Sequence, residues 1–113
     1  MPFEVEFYKT DRGDAPVADY IEAAERYRRE RARIVRTLDV LSSLLLPPAS
    51  MFKKLKGQDN LWEVRVGVHR LLGFRHANLL ILVHGFAKKS QQTPGAEIEV
   101  ALRRKQIYLE RKP

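Results

Sequence analysis

The sequence predicts an α+β fold of order βααβββα: an antiparallel sheet with an αα-hairpin and a C-terminal helix packed on it. Three observations carry this expectation. Residues 79–87, Leu-Leu-Ile-Leu-Val-His-Gly-Phe-Ala, are apolar on both parities and rich in branched side chains, as in a strand covered on both faces. Two shorter runs flank Gly67-Val68, a two-residue loop with glycine first that suits a type II′ hairpin. Apolar residues recur at helical spacing in two stretches before Pro47 and in one after Pro94. The 113 residues make one domain, 1–113, long enough for a core without staples.

The elements follow in order. Phe3-Glu4-Val5-Glu6-Phe7-Tyr8 alternates apolar and acidic, the signature of a half-buried strand. Asp11-Arg12-Gly13-Asp14 reads as a turn, and Asp14 or Ala15 as the cap of a helix with Pro16 in its first turn. Val17, Tyr20, Ile21, Ala24 and Tyr27 form the apolar stripe of that helix. Between Arg26 and Arg33 the chain turns almost wholly charged, so the helix ends or bends there. A second stripe is Ile34, Leu38, Leu41 and Leu45, flanked by Val35 and Leu44, and Pro47-Pro48 stops it. Met51–Gly57 reads as a basic loop or a short strand end.

The hairpin register pairs Val66 with His69, Arg65 with Arg70, Glu63 with Leu72, and Leu61 with Phe74. Directly paired residues share a face, so Arg65 and Arg70 stand opposite one another with Glu63 two residues along. Trp62, Val64 and Leu71 fall on the other face, under the helices. Facing like charges destabilise a sheet by up to ~1 kcal/mol. The pair is therefore expected to receive an external anion, the alternative being that Glu63 or another carboxylate neutralises it. Before the last helix, Thr93 reads as N-cap, Pro94 as N1 and Glu97 as a first-turn acid. Ile98, Ala101, Leu102 and Leu109 form its stripe, and basic residues load its far end.

Charge divides sharply along the chain. Residues 1–50 carry 8 Lys/Arg against 9 Asp/Glu, and residues 51–113 carry 13 against 5. The formal +7 thus sits in the second half, which points to a polyanion, nucleic acid first, or to a solvated basic surface. With no cysteine, disulfides and thiolate metal sites are excluded. His69, His76 and His84 form no HxH or HxxxH pair, and no phosphate loop or nucleophile elbow is present; no metal and no cofactor is expected. His84 alternates with Leu82 and Phe86 and reads as a satisfied core histidine. The longest apolar run, Leu79–Val83, is too short to cross a bilayer. Met1-Pro2-Phe3-Glu4 lacks the features of a signal peptide, so a cytoplasmic protein with no membrane partner is expected. What remains is basic side chains on stiff strands, and arginine forks match phosphate oxygens.

Four segments also resemble a known family. They are Lys54-Leu55-Lys56-Gly57, Leu61-Trp62-Glu63-Val64-Arg65, Arg70-Leu71-Leu72-Gly73-Phe74, and His84-Gly-Phe-Ala-Lys-Lys-Ser-Gln-Gln-Thr-Pro94 followed by Glu97-Ile98. They are similar to the RelE/ParE toxin superfamily, most of all to its phage-derived, HigB-like branch. The resemblance covers nearly the whole chain and is strongest from Phe52 to Tyr108.

It implies a type II toxin neutralised by a cognate antitoxin, a small helix-turn-helix protein encoded nearby. In the RelE and HigB branches such a toxin cuts messenger RNA in the ribosomal A site without a metal, the ribose 2′-OH attacking the adjacent phosphate. Carried over by position, Arg65, Arg70 and Lys89 would bind and stabilise that phosphate. Glu63 stands where RelE has a lysine, and the catalytic tyrosine near the C-terminus of RelE has no counterpart here, Gln91 or Gln92 occupying that region. Glu63 is then the candidate base and His69 a weaker one. Lys53, Lys54, Lys56, Lys88, Gln92, Arg103 and Arg104 are the expected RNA- or ribosome-binding set. A ParE-like gyrase inhibitor is the alternative, and a non-catalytic basic domain of phage origin a third reading.

Overall fold

The computed structural model describes residues 3–89 and 92–111. Its elements are β1 (Glu4–Phe7), α1 (Pro16–Arg28), α2 (Arg31–Ser43), β2 (Phe52–Lys54), β3 (Trp62–Val66), β4 (His69–His76), β5 (Leu79–Ala87) and α3 (Gly95–Arg111). The five strands form one sheet in the order β1-β5-β4-β3-β2. The α1–α2 hairpin covers one face and α3 the other, so the α+β class and its two-sided packing are as expected.

Residues 79–87 are apolar on both parities because β5 is an interior strand with a core on each side. Leu80 and Leu82 pack with Val17, Ile21, Ile34 and Leu41 beneath the helical hairpin. Ile81 and Val83 pack with Phe74, Ala101 and Tyr108 beneath α3. The β3–β4 register is the expected one, with Val66 opposite His69, Arg65 opposite Arg70 and Glu63 opposite Leu72. Gly67 takes φ +58°, and Val68 is not among the non-glycine residues with positive φ, which is the type II′ pattern.

Two features go beyond the sequence reading. The basic segment after Pro48 contributes β2, a three-residue edge strand antiparallel to β3. At the other edge β1 runs parallel to β5, Glu4 opposite Leu79 through Phe7 opposite Leu82. The α1–α2 hairpin therefore spans the face between the two sheet edges. Helix α1 begins at Ala15 with Pro16 in its first turn, and it ends where Arg29 turns left-handed at φ 54°.

The stripes are shorter than expected. Tyr27 is 78% exposed because it lies in the last turn, past the sheet, and Leu45 is 67% exposed because α2 has already ended at Ser43. On α3, Leu102 is also exposed, and Tyr108 takes the buried position beside Ala101.

Trp62 lies on the hairpin-helix face, as the register requires, stacked on Phe52 with ring centroids 4.7 Å apart and an 11° tilt. The ring is half-buried. Trp62→Ala is therefore expected to cost about 2–3 kcal/mol, less than a fully enclosed aromatic. A thermal melt checks this, and an unaltered melt would mean that the ring contributes little to the packing of the hairpin-helix face.

Candidate nucleic-acid interface

The site starts from the β3–β4 hairpin, which places Arg65 and Arg70 opposite each other on the α3 face. Glu63 shares that face and is fully buried. Its Oε1 accepts from Arg65 Nε at 2.9 Å and lies 3.8 Å from Arg70 Nε. Its Oε2 accepts from Thr93 Oγ1 at 2.5 Å. The carboxylate between the two arginines is Glu63, as the alternative reading has it; one negative charge offsets one of the two positive charges, so the pair keeps a net positive charge for an external anion. Four oxygen lone-pair positions on one carboxylate suffice for several donors.

The two arginines differ in what they can reach. Arg70 turns back on the hairpin, donating from Nη1 to the carbonyls of Gly67 (2.6 Å) and His69 (2.9 Å). Its Nε is buried without a hydrogen-bond partner. Burial pulls its guanidinium below the ordinary arginine value, while Glu63 acts in the other direction. Arg65 is more open, with 30% of its side chain exposed. Among the described residues its side chain engages only Glu63, through Nε. It also lines a cleft.

That cleft, about 370 Å³, lies between β2, β3 and the segment leading into α3. Lys53, Lys54, Lys56, Arg65 and Lys88 line it, with Gln92 and Thr93 at the α3 end. No carboxylate or imidazole is among the described lining residues. The fold explains the convergence. Strand β2 pairs Lys53 with Glu63, and the Lys88 amide is tied to the Val68 carbonyl at 2.7 Å, which holds the end of β5 beside the hairpin. The start of α3 adds its dipole to this positive field.

Several expected site residues sit elsewhere or act differently. Glu63 does not line the cleft: it is fully buried, accepts from Arg65 and Thr93, and lies 3.8 Å from Arg70 Nε. Arg70 is half-buried and does not line the cleft. Lys89 is exposed but does not line the cleft. Gln91 lies outside the described residues. His69 is on the opposite face, buried, with Nδ1 2.7 Å from the Tyr20 hydroxyl and Nε2 2.8 Å from Glu30. The hydrogen bond from His69 holds the Glu30 carboxyl below its usual range.

Arg103 and Arg104 line a separate cleft on the β1 side of α3, and Arg104 donates to the Val83 carbonyl at 2.8 Å. His84 is satisfied, as expected, with Nε2 2.6 Å from Glu97. Thr93 is the residue whose role the sequence reading missed. Its hydroxyl is directed to Glu63, not to the first turn of α3. Among the described residues no group of three His, Cys, Asp or Glu could hold a metal ion, and no helix is long and apolar enough to cross a membrane.

A family model described as phage derived protein Gp49-like (DUF891) matches residues 19–106. The chain belongs to the Gp49-like family of phage-derived proteins. That family is a RelE/HigB-like toxin family of toxin-antitoxin systems, so the likeness read from the four sequence segments stands at this level. No curated protein matches the chain. The Gp49-like match runs from within α1 to within α3 and includes every residue named above as lining the lysine-rich cleft. The Gp49-like chain therefore carries its basic cleft inside the family's own region.

Proposed function

We propose that this Gp49-like chain is the toxin of a type II toxin-antitoxin system and cleaves messenger RNA on the ribosome, an antitoxin encoded beside it holding it in check. The observation that carries the reading is the cleft itself: five cations line one concave surface with no acid among its described residues, and one of them, Arg65, is held by a buried carboxylate. A flexible lysine surface would bind phosphate loosely. A guanidinium held on a strand by Glu63 and Thr93 keeps its fork aimed with little ordering left to do when substrate arrives.

In the proposed reaction the ribose 2′-oxygen attacks the adjacent phosphorus. The new 2′-O–P bond forms as the P–O5′ bond breaks, leaving a 2′,3′-cyclic phosphate and a 5′-hydroxyl. Negative charge grows on the non-bridging oxygens at the five-coordinate stage. Arg65 and the lysines stabilise it there, where preorganised donors act most strongly. The proton of the 2′-OH and the proton taken up by the 5′-oxygen pass through water or groups of the ribosome, since the described lining residues include no carboxylate or imidazole. Glu63 serves as a positioning residue for Arg65.

The test is to map RNA 5′ ends after brief induction in cells. New 5′-hydroxyl ends inside translated messages are expected, and the Lys53→Ala/Lys54→Ala/Lys56→Ala variant should fold normally and give at least tenfold fewer. These lysines are exposed, and removing cations that neutralise phosphates weakens binding in a salt-dependent way. Growth arrest without new RNA ends, accompanied by inhibited supercoiling, would replace this reading with the gyrase-directed one.

A further inference from the structure

A second basic cleft lies across α3 from the first. It measures about 410 Å³ and is walled by the turn after β1 and by one side of α3. Its lining includes Arg12, Arg103, Arg104 and Arg111 together with the acids Asp11 and Asp14. Two of the arginines are anchored by contacts within the fold, Arg104 half-buried and Arg111 exposed. Arg111 donates to the Lys9 carbonyl at 2.7 Å, pairs with Asp11 at 2.9 Å, and lies over the Tyr8 ring 5.3 Å from its centroid. Arg104 is anchored on the Val83 carbonyl. The other two, Arg12 and Arg103, are exposed, and no hydrogen bond or ion pair engages them among the described residues.

We infer that this arginine cleft is a second RNA contact that grips a phosphodiester through Arg12 and Arg103, with Arg104 and Arg111 forming its fixed basic floor. The inference rests on the RNA-directed reading of the first cleft. The chemistry favours a phosphate backbone over a base. All four cations are arginines, whose planar forks take two phosphate oxygens at once. Tyr8 is buried beneath Arg111 and offers no open face on which a base could stack. Asp11 is already engaged by Arg111, and with Asp14 also counted the four arginines outnumber the two acids, so the lining stays net positive.

The placement also indicates how the two clefts cooperate. Ile98 faces the first cleft, whereas Arg103, Arg104, Ile107 and Arg111 face the second. At 100° per residue these lie on roughly opposite sides of the helix. A helix with side chains is about 10–12 Å across, so the two clefts hold different stretches of backbone, with α3 as a ridge between them. The second contact positions the RNA without reading its sequence.

The experiment measures binding of 5′-labelled single-stranded oligo-U and oligo-A to the full chain across a salt series, alongside co-sedimentation with purified ribosomes. The variants are Arg12→Gln/Arg103→Gln and the triple lysine-to-alanine variant, with a thermal melt to show that each is folded. For the arginine variant we expect affinity to fall about tenfold at 0.1 M salt, equally for both RNAs. The slope of log K against log salt should become shallower by about 0.7 for each phosphate that is no longer neutralised. An unchanged affinity and slope for the arginine variant, with weaker binding by the lysine variant, overturns the second contact and leaves the first cleft standing. Unchanged binding in both variants overturns both. A loss confined to one of the two RNAs overturns the backbone assignment.

Discussion

Glu63→Gln is expected to melt about 10 °C below wild type and to lose toxicity. Glu63 is fully buried and is the nearest acid to both arginines of the hairpin, at 2.9 Å and 3.8 Å. Removing one partner of a buried ion pair leaves an uncompensated charge and costs about 3–5 kcal/mol. Arg65 is partly open to water, which places the cost near the lower end. At roughly 4 °C per kcal/mol for a chain of this size, that is the stated shift. The neutral amide keeps one oxygen for Arg65, and its N–H faces Thr93, whose hydroxyl must turn from donor to acceptor. Activity falls with the fold because Arg65 loses the carboxylate that aims it. Calorimetric melts and a growth assay under induction read both effects. A Glu63→Gln protein that melts like wild type yet fails to cleave RNA would make Glu63 the catalytic base after all.

What the sequence made legible follows from how local each determinant is. The β3–β4 register was readable because a two-residue loop with glycine first fixes every pair outward from it. Strand β5 was readable because burial on both faces leaves no polar alternation. The β2 strand was not, since three residues carry no period. The parallel pairing of β1 was hidden because its partner lies some 75 positions away and no turn specifies it. Within the site, register put Glu63 beside the arginines but could not say that α3 and its leading segment seal it from solvent.

Thr93 shows the limit most clearly. Thr-Pro before a helix has the pattern of a cap, yet an ionisable acceptor brought close by tertiary packing takes the hydroxyl. Arg103 and Arg104 sit apart from the lysines for a geometric reason. Their basicity was plain, but the rotation of α3 that sends them to the β1 side depends on which of its residues pack, and Tyr108 displaced Leu102 from the buried stripe.

Arg65→Gln is expected to separate stability from catalysis. It removes the guanidinium that reaches the cleft, and loss of one preorganised donor to a developing charge costs on the order of 10²-fold or more in rate. Its structural cost is smaller, about 1–2 kcal/mol for a buried acceptor losing one of its donors, because Arg70 and Thr93 remain on Glu63. The protein should therefore be produced in good yield, melt a few degrees low, and bind RNA with a modest loss while cleaving it poorly. Arg70→Gln should show the reverse balance. That arginine ties the hairpin turn through the carbonyls of Gly67 and His69 and does not line the cleft, so its loss lowers the melt further while rate per folded molecule falls less. Single-turnover cleavage on programmed ribosomes, set against thermal melts of the two variants, reads this contrast. Equal losses in both measurements for both variants would mean the pair acts only as scaffold. If Arg65→Gln stays stable and fully toxic, the phosphate is held elsewhere and the RNA-cleaving reading gives way to one in which the fold acts by binding alone.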